Sequence, residues 1–163
     1  MLFLWLAGLA AADFGWRRAP NRWLLVGAGL ALAALAMGRS PSGPGWEGAL
    51  VAAGVAFVFG LVFYATGLLH AGDVKSLAVL GLWFGSAPML VVLVLAGLMA
   101  GAHSVLWLAL RWVPRALNVH PSAQRPARWL AHPDLGRIPY AGYLALSALL
   151  WLTAQAISPS APA

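Results

Sequence analysis

The chain has 163 residues, of which 62% are hydrophobic and only 9% charged, and it contains no cysteine. A soluble domain carries roughly 25% charged residues, so this composition excludes a soluble enzyme and a disordered chain. The lack of cysteine excludes a disulfide scaffold, a thiolate metal site and a cysteine nucleophile. What remains is a small polytopic membrane protein whose net charge of +6 is typical of basic cytoplasmic loops rather than of nucleic-acid binding.

Six apolar segments follow one another along the chain, and each predicts a helix. They comprise residues 1–16, 23–38, 48–69, 73–85, 88–110 and 138–157. A helix needs about 20 apolar residues to cross the hydrocarbon, so the first and fourth segments are short for a span and the second is marginal. Residues 111–137 contain four prolines and five arginines, which predicts a long cytosolic loop. This loop either sets the topology and touches anionic lipid, or forms part of the way in for a substrate or partner.

The basic residues indicate whether the short segments cross the membrane. If only the four long segments cross, the ten Lys and Arg residues divide four to six between the two sides. If residues 73–85 cross as well, nine lie on one side and Arg39 alone on the other, as the positive-inside rule favours. Residues 1–16 are also expected to be helical, because unsatisfied backbone is costly in lipid. We therefore expect one all-α domain over residues 1–163, with six transmembrane helices and both termini periplasmic.

Four acidic residues occur in the chain: Asp13, Glu47, Asp73 and Asp134. Glu47 and Asp134 fall in predicted loops, where a solvated charge is expected. Asp13 and Asp73 instead lie where apolar helices meet the cytosol, and a carboxylate at membrane depth indicates a functional site. The predicted topology brings both to the same membrane face, although they are 60 positions apart. They can therefore converge in one pocket.

Two such carboxylates suggest a specific chemistry. Close together, they cannot both ionise easily, and they share a proton near neutral pH. The charged one can then deprotonate a water molecule while the protonated one donates to a carbonyl oxygen, which hydrolyses a peptide without a metal or a covalent intermediate. The residues alone also leave a structural alternative open. Asp73 would suit a helix N-terminus, and Arg17 could neutralise Asp13 as an ordinary surface pair.

Three motifs carry a family resemblance. Residues 11–21 read Ala-Ala-Asp-Phe-Gly-Trp-Arg-Arg-Ala-Pro-Asn, with an Asp at a helix end followed by basic residues and Pro-Asn. Residues 72–85 begin Gly-Asp-Val-Lys, and residues 137–145 open the last helix with Pro-Tyr. In order and spacing these motifs resemble the type IV prepilin peptidases, GxGD membrane aspartyl proteases that trim leaders from pilin-like precursors.

The resemblance implies that Asp13 and Asp73 are the catalytic pair of an aspartic-type endopeptidase that uses no cofactor and no metal. Five further residues are expected to bind or position the substrate: Pro20, Asn21, His70, Gly72 and Lys75. Gly72 would let the backbone approach the substrate closely.

Two of these residues have two interpretations each. Lys75 either holds the charge of the Asp pair or extends towards lipid phosphates. His70 stands where the GxGD motif has its first glycine, and it either caps the end of the third helix or tunes Asp73 through its own charge.

The resemblance also implies a substrate and a location. We expect cleavage of type IV or Flp-like prepilins at the cytosolic face of a bacterial inner membrane, with prepilin-like membrane proteins and the bilayer as partners and no nucleic acid. The match is to the short, protease-only branch associated with Flp (tight-adherence) pili, because the cysteine-bearing N-terminal domain of longer members is not in this sequence. A non-catalytic membrane assembly factor that binds pilin-like proteins is the alternative. A proton-coupled carrier would need a continuous polar path, for which few mid-membrane polar groups exist.

Overall fold

A computed structural model of the chain describes residues 1–17, 19–116 and 138–157. Within these ranges the regular structure consists of six α-helices and no strand, which confirms the predicted all-α class. The helices are α1 (Leu2–Trp16), α2 (Asn21–Ala36), α3 (Trp46–Ala65), α4 (Ala71–Phe84), α5 (Ser86–Ala116) and α6 (Tyr140–Ile157). Among them, α3, α6 and the Ser86–Leu110 part of α5 are long and apolar enough to cross a membrane, whereas α1 and α2 are shorter apolar helices.

Two helix ends differ by more than two residues from those expected. α3 ends at Ala65 rather than at position 69, because Gly67 adopts a left-handed conformation with φ of 77° that stops the helix. α5 continues to Ala116, six residues into the predicted loop 111–137. The prediction ended this helix where charge begins, but arginine is a good helix former and does not itself stop a helix. Residues 117–137 of the predicted loop lie outside the described residues.

A single residue, Gly85, joins α4 to α5. Its φ of 70° and ψ of −172° turn the chain sharply, and side chains rarely tolerate this conformation. A Cβ atom at this position would also lie 2.9 Å from the Cβ of Pro44. Pro88 falls in the first turn of α5, where its missing N–H removes no helical hydrogen bond. The connection is therefore one residue long, shorter than the two residues that separate the predicted segments 73–85 and 88–110.

The helix at the centre of the fold is α4. Nine of its fourteen residues are buried, because it packs against α2, α3, α5 and α6. Its side chains Leu77, Leu80 and Phe84 join one apolar cluster with Leu9 of α1 and Leu144 of α6. The cluster connects α4 to both of these helices, and Asp73 lies in the first turn of α4.

α3 and α4 pack closely because glycines lie between them. A Cβ atom on Gly81 would lie 2.7 Å from the Cα of Ala53, and one on Gly60 would lie 3.2 Å from the Cα of Val74. Gly81, late in α4, lies beside Ala53, early in α3, whereas Val74, early in α4, lies beside Gly60, late in α3. The two helices are therefore antiparallel. At Gly81 the three nearest atoms all belong to the α3 backbone, so no flexible group could move aside.

The outer faces of the long helices are apolar and exposed. On α3 the exposed valines occur at Val51, Val55, Val58 and Val62, which follow one side of the helix. An apolar stripe that faces outward on a helix of spanning length is suited to lipid rather than to water. The protein is thus a membrane protein with α4 in its interior.

We predict that Gly81→Ala destabilises the protein. The new Cβ must push the α3 backbone away, and overpacking of this kind costs about 1–3 kcal/mol. The matched control is Gly54→Ala on the facing helix, where a Cβ atom meets nothing within 4 Å. Thermal unfolding in detergent measures both variants, and an equal effect of the two would contradict the proposed contact.

Candidate active site

The start of α4 holds Asp73 in place. His70 is the residue before the helix, and its backbone N–H donates to Oδ2 of Asp73 at 2.8 Å. His70 therefore lies at the beginning of α4, and the interpretation that it caps the end of the third helix is wrong, because α3 already ends at Ala65. Its imidazole is largely exposed, with Nδ1 3.6 Å from Oδ2 of Asp73. A protonated imidazole at this distance would favour the ionised carboxylate.

The end of α1 holds Asp13. This residue lies in the last turns of the helix, and Arg17 ends α1 with a φ of 53°, its N–H donating to the carbonyl oxygen of Asp13 at 2.8 Å. Arg17 forms no ion pair within the described part of the chain, so the ordinary surface pair with Asp13 is not observed. The left-handed backbone at Arg17 takes its side chain off the helical path that would set it one turn beyond Asp13.

The first turn of α6 brings the two acids together. The N–H of Ala141 donates to Oδ1 of Asp73 at 3.1 Å, and the N–H of Gly142 donates to Oδ2 of Asp13 at 2.7 Å. Pro139, which precedes the helix, has no side-chain acceptor for these N–H groups, so carboxylates from α4 and α1 take that role. Adjacent residues of one helix thus hold acids that are 60 positions apart in the sequence.

Burial strengthens the interaction between the two carboxylates and the start of α6. Asp13 and Asp73 are 5% and 6% exposed, so water contributes little to their solvation. Hydrogen bonds to a carboxylate are stronger than neutral ones, and the positive end of a helix dipole favours negative charge nearby. The N–H groups and the dipole at the start of α6 therefore stabilise the two carboxylates in place of hydrating water.

Close packing keeps α6 next to α1. A Cβ atom on Gly142 would lie 2.8 Å from Cε2 of Phe14, so the small residue lets the backbone N–H reach Asp13. The ring of Tyr143 meets that of Phe14 edge to face at 5.4 Å between centroids. On its other side, the Tyr143 hydroxyl lies 2.7 Å from Nδ1 of His103 in α5. These contacts fix the position of the α6 N-terminus between α1 and α5.

A cavity of about 510 Å³ opens beside the two carboxylates. Its lining includes six of the seven residues that the sequence analysis selected: Asp13, Pro20, Asn21, His70, Gly72 and Asp73. The other lining residues are Arg17, Ala19, Ala71 and Ile138. Gly72 lies close to the chain itself, since a Cβ atom there would be 3.2 Å from the Cβ of Ala19.

Lys75 is the selected residue that does not line the cavity. Its ammonium group donates to the side-chain oxygen of Asn21 at 2.9 Å, on the exposed side of α4. This contact links α4 to the start of α2, so Lys75 acts on the cavity only through Asn21.

Sequence reasoning did not select Ala141, Gly142 or Arg17 for the site. The two α6 residues contribute backbone N–H groups, which have no side-chain signature in a sequence. The Pro-Tyr opening of the last helix was the available signal, because it marks a helix N-terminus without a side-chain cap. No group of three or more His, Cys, Asp or Glu side chains that could hold a metal ion occurs in the part of the chain that the structure describes.

The fold and the cavity together define an all-helical membrane protein with two buried carboxylates at one helix N-terminus. The model of the type IV leader peptidase family matches residues 1–105, about two thirds of the chain, and the chain belongs to this family. This confirms the family resemblance that residues 11–21 and 72–85 carry. Family membership makes it a leader peptidase-like protease. No curated protein and no solved structure matches the chain.

The matched range contains Asp13 and Asp73 but ends before α6. The family match therefore says nothing about Ala141 and Gly142. Their contacts with the two carboxylates are known from the structure alone.

We predict that removal of the Asp13 carboxyl group destabilises the protein more than its replacement by an amide. Asp13→Ala leaves the buried N–H of Gly142 without an acceptor, which costs about 1–3 kcal/mol. Asp13→Asn keeps an oxygen that accepts the same hydrogen bond. Thermal unfolding in detergent compares the two variants.

The control for this comparison is Glu47→Ala, which removes an exposed carboxylate and should change stability by about 0.5 kcal/mol or less. If Asp13→Ala and Asp13→Asn were equally stable, the contact with α6 would not support the fold.

Proposed function

We propose that this protein is an aspartic-type endopeptidase that removes leader peptides from type IV or Flp-like prepilins, with Asp13 and Asp73 as its catalytic pair. The observation that carries the proposal is that adjacent amide groups of α6 bind the two carboxylates, one each. Two acids so close in a buried setting share one proton, which gives one charged and one neutral member. Such a pair supplies the base and the acid that peptide hydrolysis needs.

The reaction needs nothing beyond the two carboxyl groups and water. The charged carboxylate takes a proton from a water molecule as its oxygen attacks the peptide carbonyl carbon, and the neutral acid donates its proton to the carbonyl oxygen. The tetrahedral intermediate then collapses, the C–N bond breaks, and the departing nitrogen receives a proton from the pair. Coupled carboxylates titrate together, so the roles of base and acid belong to the pair rather than to either residue.

The free acceptor sites on the carboxylates fit this role. Among the residues that the structure describes, N–H groups donate to both oxygens of Asp73 but to Oδ2 alone of Asp13. A carboxylate oxygen has two lone-pair directions, so each acid can still bind water or a substrate carbonyl. The α6 amides hold the acids in position before the substrate arrives, and preorganisation of this kind favours catalysis.

The cavity supports a polypeptide substrate. Its volume of about 510 Å³ falls within the range of roughly 300–1,000 Å³ usual for ligand pockets. Pro20, Asn21, His70 and Gly72 form its wall beside the acids and would position the chain to be cut, while Lys75 would orient Asn21. A leader that meets an apolar helix at the membrane boundary would present its scissile bond to this cavity.

The proposed setting is a bacterial inner membrane crossed by six helices, with both termini periplasmic. The cavity lies at the end of α1 and the start of α4, which share one membrane face in this topology. The basic residues of that face make it cytosolic. The enzyme would thus cut its substrate at the cytosolic surface.

A second candidate is a non-catalytic membrane assembly factor that binds pilin-like proteins. It is favoured by the structural roles that both acids already perform, since Asp73 caps the start of α4 and both complete the N-terminus of α6. His70, in place of the motif glycine, also departs from the family pattern. In this function the carboxylates would support the fold without chemistry.

We predict that Asp13→Asn and Asp73→Asn each lower leader processing by about 10²- to 10⁴-fold, the usual contribution of an acid–base group. The one oxygen of an Asn amide can accept the α6 hydrogen bond at either position but cannot exchange a proton. In Asp73→Asn the N–H of His70 then loses its acceptor, so thermal unfolding and precursor binding are measured for both variants beside processing. The measurement mixes purified protein with a prepilin and reads the N-terminus of the product.

The control for processing is Glu47→Gln, which alters an exposed acid outside the cavity and should process the precursor at the wild-type rate. Unchanged processing in both Asn variants would reject the aspartic mechanism. Precursor binding by a wild-type protein that never cleaves would favour the assembly factor.

We predict that positions 41 and 122 lie on opposite sides of the membrane, which labelling of single cysteines can measure. The chain has no native cysteine, so Pro41→Cys and Ser122→Cys each give one labelling site. With six spans, a membrane-impermeant maleimide should label position 41 in spheroplasts and position 122 only after lysis. If only the four long segments crossed, the two positions would share one side and label together.

A further inference from the structure

Arg17 combines two unfavourable features. It has a φ of 53°, which makes it the only non-glycine residue with a positive φ in the described part of the chain. This conformation is disfavoured for side chains with a Cβ atom and is usually occupied by glycine at the end of a helix. Such an outlier is a reason to look for a function at the residue.

The second feature is the guanidinium group. Its Nη1 atom is buried and has no hydrogen-bond partner, and Arg17 forms no ion pair with any described residue. A buried charged donor without an acceptor is costly, so most such groups in proteins have a partner. Arg17 also lines the cavity beside Asp13. Both features thus occur at a residue of the candidate active site.

We propose that Arg17 is a substrate-binding residue whose guanidinium group donates to a main-chain carbonyl oxygen of the polypeptide in the cavity. This inference rests on the proposed function and names one contact by which the site would hold its substrate. A neutral carbonyl suits the site better than an anion, because two carboxylates already line the same cavity and would repel a third.

A matched pair of variants tests this role. Arg17→Gln and Arg22→Gln remove the same charge a few residues apart, but Arg22 is exposed on α2 and does not line the cavity. We expect Arg17→Gln to raise the KM for prepilin cleavage about 10- to 100-fold, the range for loss of a charge-assisted hydrogen bond. Arg22→Gln should leave KM within about threefold of wild type, the scatter of a surface change. Equal KM values for the two variants would overturn the proposal.

Arg17→Gly separates binding from structure. Glycine favours the left-handed conformation, so this variant should unfold at the wild-type temperature or above it. A structural role alone therefore predicts full processing, whereas a binding role predicts the same rise in KM as for Arg17→Gln. Arg17→Lys keeps the charge but not the planar fork, and it should recover only part of the lost affinity.

A measurement of precursor binding that involves no cleavage tests the Arg17 contact independently of the proposed function. The precursor is titrated against a protein that carries both Asp13→Asn and Asp73→Asn, with and without Arg17→Gln. Loss of about 10-fold or more in Kd supports the Arg17 contact even if the wild-type protein does not cleave. Cleavage by the wild type with an unchanged Kd in the Arg17 variant rejects this contact and leaves the protease assignment intact.

A second precursor identifies the bound group. Its acidic side chains near the cleavage site are replaced by the corresponding amides. A main-chain contact predicts the same effect of Arg17→Gln with both precursors. If the effect vanished with the neutral precursor, Arg17 would bind a carboxylate and the assignment to a carbonyl oxygen would be wrong.

Discussion

Two backbone N–H groups at the start of α6 need hydrogen-bond acceptors, and the rest of the structure depends on how they obtain them. Ala141 and Gly142 begin a helix whose preceding residue, Pro139, offers no side-chain oxygen, and lipid offers none either. The acceptors come from Asp73 in α4 and Asp13 in α1. Three helices that are distant in sequence therefore meet at one point, and the same contact that closes the bundle brings two carboxyl groups together.

This constraint explains why the glycines and aromatic rings around the contact matter. Gly142 leaves space for the Phe14 ring, and Tyr143 connects that ring to His103 in α5. Each contact limits how far α6 can shift along α1. The position of the acids is thus determined by apolar packing on one side and by amide groups on the other.

The sequence predicted the parts of the site that have a side-chain signature. Asp13 and Asp73 were recognisable because charge is rare in such an apolar chain, and the helices were recognisable from their hydrophobicity. The donors of α6 were not, because a backbone N–H looks the same at every residue. The ends of α3 and α5 were misplaced because polarity marks where a helix leaves lipid, whereas glycine conformation and helix propensity determine where it ends. The αL backbone of Arg17 has no sequence marker either.

The one-residue joint at Gly85 has a mechanical consequence. With one residue between them, the end of α4 and the start of α5 must move together, and α5 is about 46 Å long at 1.5 Å per residue. Asp73 lies in the first turn of α4, at the opposite end of this helix from Gly85. A displacement of the start of α5 therefore also displaces the end of α4, whereas a long flexible linker would let these two helix ends separate.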